Sequence, residues 1–360
     1  MTLEVALVRR EQLPELFRFR HGVFFEELRA LLPEEEIERG YMTDPLDESA
    51  FNYVLLDGGE IVGSLRFVDF ERVAARGDLE RKYRLGPIVE RFGASGIAII
   101  GRLALAPRCR SGVALSRLIS RGYEDARSRG IRVGVSDCSP YLLPFEERLG
   151  YRRYAPPFGD PVYGLKLPIL LLGEGNAHLQ TIRSPLARAA ARFEADESVE
   201  EWFRATYPEF ASVPGLAPSS LAESLGELGR REASGFLAGL EAQEVRTLLD
   251  GAVPLTVPAG NFLIRKGMRE DHIYLILEGT AEAVGAEHKV LHRFGAGDVV
   301  GEMAFLTNST RSCDVIVREP TRCVLVHPHS IRRCAGRSPE LYGKVMQNLA
   351  RTVAIRLRAA

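Results

Sequence analysis

The chain has 360 residues, 46% of them hydrophobic and 26% charged, with a formal net charge of −1. That length suffices for two domains with separate cores, and the near-neutral balance supplies no global field favouring nucleic acid. The cysteines, Cys109, Cys138, Cys313, Cys323 and Cys334, are odd in number and lack CxxC spacing; they suggest neither a disulfide framework nor a metal site, and fit a cytoplasmic protein with reduced thiols.

The first residues, MTLEVALVRREQL, lack a basic region followed by an apolar run, so no signal peptide is expected. NYVLLD (52–57) and EIVGSLRFVDF (60–70) flank Gly58-Gly59, which predicts a β-hairpin. GIAIIGRLAL (96–105) reads as a strand, and VALSRLISRGYEDARSRG as an amphipathic helix ending near Gly130. IRVGVSDC (131–138) is the next strand, LLPFEERLG a short helix, and YRRY through VYGLKLPILLL the closing strands. The apolar run at 167–172 is far too short to span a bilayer. Strands and helices interleaved in this way predict an α+β domain, a mixed sheet with flanking helices, over residues 1–172.

Residues 173–235 are helical in composition but broken by Pro185, Pro208, Pro214 and Pro218, and read as a helical connector. Residues 236–360 carry short strands separated by Gly-rich turns, the pattern of a small antiparallel β-barrel or jelly roll. The tail from Ser338, a plausible N-cap before Pro339, is a terminal helix. That helix could dimerise.

Within the last region, GEMAFLTNSTRSCD (301–314) puts an acid and a base in one loop. Gly301 lets the backbone approach a ligand closely, and small Ala304 keeps the wall open. Backbone N–H groups of a turn starting near Glu302 suit an anion. Arg311 can grip a phosphate with two parallel hydrogen bonds, and Ser312 adds a hydroxyl. Glu302 is unsuited to phosphate but suits a ribose 2′-hydroxyl. A sugar carrying a compact phosphate, a cyclic nucleotide, satisfies all of these. The segment resembles the phosphate-binding cassette of cyclic-nucleotide-binding domains, and the resemblance extends over roughly residues 236–357. It implies a site of Gly301, Glu302, Met303, Ala304, Arg311, Ser312 and Cys313, with cAMP or cGMP as effector. Cys313 departs from the family's usual alanine or threonine. The alternative is an empty fold in which Glu302 and Arg311 pair with each other. Too few residues follow the last strand for a DNA-reading helix pair.

In the first region, RLALAPRCRSGVALSRL (102–118) is a strand, a bend and a helix, an arrangement that receives phosphate or pyrophosphate. It resembles the acyl-CoA motif of GNAT acyltransferases, with Gly112 and Ala114 at its last two positions and Cys109 at the first. The implied acyl-donor site comprises Leu103, Ala104, Leu105, Arg108, Arg110, Gly112, Val113 and Ala114. Arg20, Val23, Phe24, Glu27, Leu28, Asp44, Asp47, Arg66 and Arg102 match the GNAT branch that contains acyl-homoserine-lactone synthases and N-acyl amino acid synthases. The resemblance implies transfer of an acyl group from acyl-CoA or acyl-ACP to an amine, with Asp44, Asp47, Arg66 and Arg102 as the catalytic set. Asp44 and Asp47 either relay a proton and hold the amine or cap a turn. Arg66 and Arg102 either anchor those acids or a substrate carboxylate, or form a structural ion pair. Ile99 stands where the lactone synthases carry a glutamate. Arg110, Arg117 and Arg121 either receive CoA phosphates or an acyl carrier protein, or line a solvated face. The expectation is a cyclic-nucleotide-regulated N-acyltransferase; a regulated protein lysine acetyltransferase and a non-catalytic sensor are the alternatives.

Overall fold

The computed structural model describes residues 3–110, 112–211 and 235–359. The chain divides into two compact units. The first comprises Met1–Cys138, Phe145–Ala155 and Pro168–Ser212; the second comprises Ser139–Pro144, Pro156–Leu167 and Val213–Ala360. Ser111, Pro214 and Pro218 lie outside the described residues.

The first unit is built on strands β1 (Leu3–Leu7), β2 (Phe51–Asp57), β3 (Glu60–Asp69), β4 (Ile97–Leu105), β5 (Val133–Cys138) and β6 (Arg152–Arg153). β8 (Gly164–Leu172) joins this sheet through its residues from Pro168 onward, giving the order β1-β2-β3-β4-β5-β8-β6, while β7 (Phe158–Asp160) pairs with the start of β8, Gly164–Lys166, within the second unit. β2 and β3 form the expected hairpin, with Asp57 opposite Glu60 and the Gly58-Gly59 turn at φ +60° and +92°. Two successive positive φ values are what a tight hairpin turn demands and what a side chain resists.

β3 and β4 are antiparallel, whereas β4 and β5 pair in parallel over Ile97–Ile99 and Val133–Val135. The β3–β4 register shifts between Ser64 and Arg66, and the facing Arg102 takes φ +56°. This is a β-bulge, a device that bends a strand and re-aims a side chain. The Ser64 hydroxyl holds the bulge by donating to the Arg102 carbonyl at 2.7 Å. The helix Gly112–Ser128 follows β4 and buries Ala114, Leu118, Ile119, Tyr123 and Ala126. Short helices from Asn176 to Ala211, in the region whose composition suggested a connector, bury Leu179, Val199 and Phe203.

In the second unit the expected barrel is not closed among the described residues. Two four-stranded antiparallel sheets form instead. One contains β10 (Phe262–Ile264), β12 (Ala281–Val284), β13 (Val290–Phe294) and β15 (Asp314–Val317); the other contains β9 (Val253–Val257), β11 (Ile273–Glu278), β14 (Val299–Val300) and β16 (Thr321–Val326). Strands this short, one of them only 2 residues long, cannot supply the tilt and stagger that closure requires. Ile273, Leu275, Val324 and Val326 join a core with Phe236, Leu248, Phe305, Ile331, Leu341 and Leu349. The alternate residues Tyr274, Ile276, Cys323 and Leu325 are also buried and point the other way. The tail from Ser338 is the expected single helix, Pro339–Ala359, and a further helix, Pro328–Arg337, precedes it.

Candidate functional site

β14 ends at Gly301, which adopts φ +93° and leads into the helix Glu302–Thr307. A Cβ there would meet Nη1 of Arg311 at 2.4 Å and the His272 carbonyl at 3.1 Å. Both the backbone angle and the crowding therefore require glycine. Glu302 and Ala304 are buried, and Met303 is exposed. Ser312 is exposed and Cys313 half-buried, with burial pushing the thiol up.

Arg311 is buried, and its guanidinium is fixed by the backbone. Nη1 donates to the Gly301 carbonyl at 3.0 Å and Nη2 to the His272 carbonyl at 2.7 Å. Its own main chain is clamped to Gly267 and Met268, at 2.9 Å in each direction. Nε has no hydrogen-bond partner; the nearest charge is Glu270 Oε2 at 3.8 Å. Glu302 and Arg311 do not pair with each other. Glu302 Oε1 instead accepts from Arg356 Nη1 of the terminal helix at 2.7 Å. Arg356 also donates to the Val299 carbonyl at 2.8 Å and lies over the Phe294 ring at 4.9 Å. The seven residues singled out in the sequence thus share one turn, in which a buried cation and a buried carboxylate are held apart by separate partners.

Comparisons with known proteins bear on this turn. Residues 254–338 match the family model described as the cyclic nucleotide-binding domain. The second unit contains a cyclic nucleotide-binding domain. A stretch of 82 residues is 39% identical to cGMP-dependent protein kinase isozyme 1 of Drosophila melanogaster, covering 23% of this chain and 10% of the kinase. An uncharacterized Mycobacterium tuberculosis protein is 40% identical over 73 residues, covering 20% of this chain and 14% of that one. The chain therefore spans only a small part of the curated relatives it matches. Among solved structures, a cyclic nucleotide-binding domain from Methylobacillus flagellatus aligns at 21% identity over 40% of this chain and 87% of its own, with a TM-score of 0.36. A cAMP-bound regulatory domain of Toxoplasma gondii PKA aligns at 18% identity over 53% and 58%, with a TM-score of 0.33.

Four residues of the domain, Glu270, His272, Tyr274 and Arg356, escaped the sequence reading. Glu270, His272 and Tyr274 alternate along the entry to β11. His272 Nε2 lies 3.0 Å from the Tyr274 hydroxyl and 3.7 Å from Glu270 Oε2. Burial drives the His272 imidazole well below its ordinary value, with Arg311 and His327 adding to the effect, so the ring is neutral. Burial raises the Glu270 carboxyl, while Arg311 and Lys166 pull it back in part. The period-two spacing of these polar residues was the signal that could have found them. Arg356 had no local signal; its partner is 54 positions away.

In the first unit the expected catalytic set does assemble. Asp44 caps the turn Pro45–Ser49, accepting from the Leu46 N–H at 2.9 Å, while Asp47 accepts from the Asp44 N–H at 3.1 Å. Arg66 Nη1 lies 2.7 Å from Asp44 Oδ1 and 3.1 Å from Asp47 Oδ1. Arg102 binds the other oxygen of Asp44. Arg20, fully buried, donates to Asp47 at 2.8 Å and to Asn52 at 2.6 Å. The capping and anchoring roles coexist. Burial alone would raise the Asp44 carboxyl, but Arg66 and Arg102 outweigh it and bring it down to about 2. So acidic a group is a poor proton acceptor at neutral pH.

The residues that the sequence resemblance assigned to an acyl donor lie along β4 and the bend after it. Leu103, Ala104 and Leu105 close the strand; Gly112 opens the long helix, with Val113 exposed and Ala114 buried. Arg108 pairs with Glu60 at 2.5 Å, and Arg110 donates to Glu27 at 2.6 Å and to the Leu105 carbonyl at 3.1 Å. Arg117 donates to the Leu3 carbonyl at 2.7 Å, and Arg121 to Asp125 at 3.0 Å. Beside β4, where β5 follows it in parallel, lies a largely apolar cavity of about 70 Å³. Ile100, Gly101 and Leu103 line one side, Val133 and Gly134 another, and Ile119 and Tyr123 of the long helix a third.

Proposed function

We propose that the chain is a cyclic-nucleotide sensor governing an N-acyltransferase. The observation that carries the sensing half is Arg311: a buried guanidinium beside the Gly301 turn, its Nε without a hydrogen-bond partner, inside a cyclic nucleotide-binding domain. An anionic cyclic phosphate answers that group, and Glu302 then has a ribose hydroxyl to accept from. The likeness to a cGMP-dependent kinase makes cGMP as much a candidate as cAMP.

The acyl-transfer half is supported by the cavity between β4 and β5. A largely apolar space lined by Ile100, Leu103, Ile119 and Val133 suits an alkyl chain. The saturated cluster around Asp44 favours a second reading, a sensor whose first unit no longer catalyses, because it offers no free base. A thiol-release assay with acyl-CoA and acyl-ACP donors and an amine acceptor, with and without cAMP or cGMP, separates them. The enzyme reading expects thiol release that changes with nucleotide. Nucleotide binding without thiol release or thioester binding would leave the sensor alone.

A further inference from the structure

Glu270 is the anion nearest to the phosphate-seeking arginine, and nothing in the sequence motif requires it. Its Oε2 lies 3.8 Å from Arg311 Nε and 3.7 Å from His272 Nε2, and its side chain is only 13% exposed. Each terminal nitrogen of Arg311 donates to a carbonyl, and Nε, which has no hydrogen-bond partner, has Glu270 as its nearest charge. A guanidinium this buried, 1% exposed, cannot swing to solvent to meet a ligand. A cyclic phosphate that meets the Nε edge sits near this carboxylate in a water-poor site, where like charges repel strongly.

We propose that Glu270 sets the affinity of the nucleotide site: its carboxylate neutralises Arg311 in the unliganded domain and competes with the cyclic phosphate for it. The inference rests on the reading that a cyclic nucleotide binds at Arg311. It implies that neutralising Glu270 favours the ligand. The other ionisable groups around it do not share its titration. His272 is kept neutral by burial and its cationic neighbours, and Tyr274 is kept neutral by burial. Lys166 pulls the Glu270 carboxyl down in part, and Asp271 is paired with Arg332 at 3.1 Å. His327, next to His272, is lowered by burial. Tyr141 stacks on His272 with ring centroids 5.5 Å apart. Burial raises the Glu270 carboxyl, so protonation begins at a higher pH than for a solvated glutamate. As pH falls toward that value the competing charge disappears and nucleotide affinity rises.

Equilibrium dialysis of the full chain with cAMP, and separately with cGMP, from about pH 5 to about pH 8 tests this. Wild type is expected to bind more tightly as pH falls. Glu270→Gln, which keeps the side chain's size, is expected to bind about tenfold more tightly than wild type at neutral pH and to lose the pH dependence. Glu270→Asp, which keeps the charge, is expected to retain it. Binding by Glu270→Gln but not by wild type would support the same conclusion. Equal affinities for wild type and Glu270→Gln, or a pH slope that survives the substitution, would overturn the inference while leaving nucleotide binding intact. No binding by any of the three would overturn the underlying reading as well.

Discussion

Arg311 spends its charge on dipoles. Two of its nitrogens hold the carbonyls of Gly301 and His272, so the residue builds the loop as well as the ligand site. Arg311→Ala should lower affinity for the preferred cyclic nucleotide by about a hundredfold or more, as removal of a charge-assisted partner does. It should also cost about 2 kcal/mol of stability, read from the denaturation midpoint, because two buried carbonyls lose their donors. Arg356 poses a related test. Its removal leaves Glu302, whose side chain is 7% exposed, without its cation. Arg356→Ala should destabilise the domain by about 2 kcal/mol, a loss that bound nucleotide would partly restore through the ribose hydroxyl. In the first unit, Asp44 carries its own pH signature. Its folded value, about 2, lies below the ordinary carboxylate value of 3.8. The stabilisation is thus fully present above about pH 4 and is lost as pH falls through about 2, with a magnitude of about 2 kcal/mol. Asp44→Asn should flatten that part of the acid-unfolding curve; an unchanged curve would contradict the cluster's electrostatics.

Two elements turn these residues into sites. The Gly301 turn brings Arg311 against the backbone at a distance no side chain would allow. Gly301→Ala should therefore weaken nucleotide binding and lower the melting temperature together, with the loss in binding measured by titration at a temperature where the variant is folded. The β4–β5 pair lines the cavity proposed for the acyl chain. An added Cβ at Gly101 meets nothing within 4 Å, yet Gly101 lines the cavity. Gly101→Val should fill that space, fold normally, and abolish acyl-thioester binding while leaving nucleotide binding unchanged. The sequence made the first element legible because a glycine, an acid, a small residue and an arginine fall within 11 consecutive positions, Gly301–Arg311. It also exposed the hairpin at Gly58-Gly59 and the pairing of Asp44 and Asp47 with Arg66 and Arg102. Closure of the second unit was misread because strand number is written in the turns, whereas closure depends on strand length and tilt, which are not. Glu270 and Arg356 were missed because their importance comes from tertiary partners. The Ile99 departure is visible in the sequence, but the cavity lined by Ile100, Gly101 and Leu103 exists only once β4 and β5 are assembled.

At the scale of the whole molecule, the chain segments Ser139–Pro144 and Pro156–Leu167 lie between stretches of the first unit in sequence, yet belong to the second. The backbone therefore passes between the two units repeatedly and not through one linker. Among the described residues no helix is long and apolar enough to cross a membrane. Regulation of the first unit by a ligand of the second would require a coupling of about 1–3 kcal/mol, and by linkage an acyl thioester would then alter nucleotide affinity by the same factor. The most direct test of the central claim, that Arg311 and Glu302 form a working cyclic-nucleotide site, is calorimetric titration of the full chain with cAMP and with cGMP, on wild type and Arg311→Ala. Saturable heat in wild type with at least one nucleotide, lost in the variant, is the predicted result; absence of heat with both nucleotides, or heat unaffected by Arg311→Ala, would contradict it.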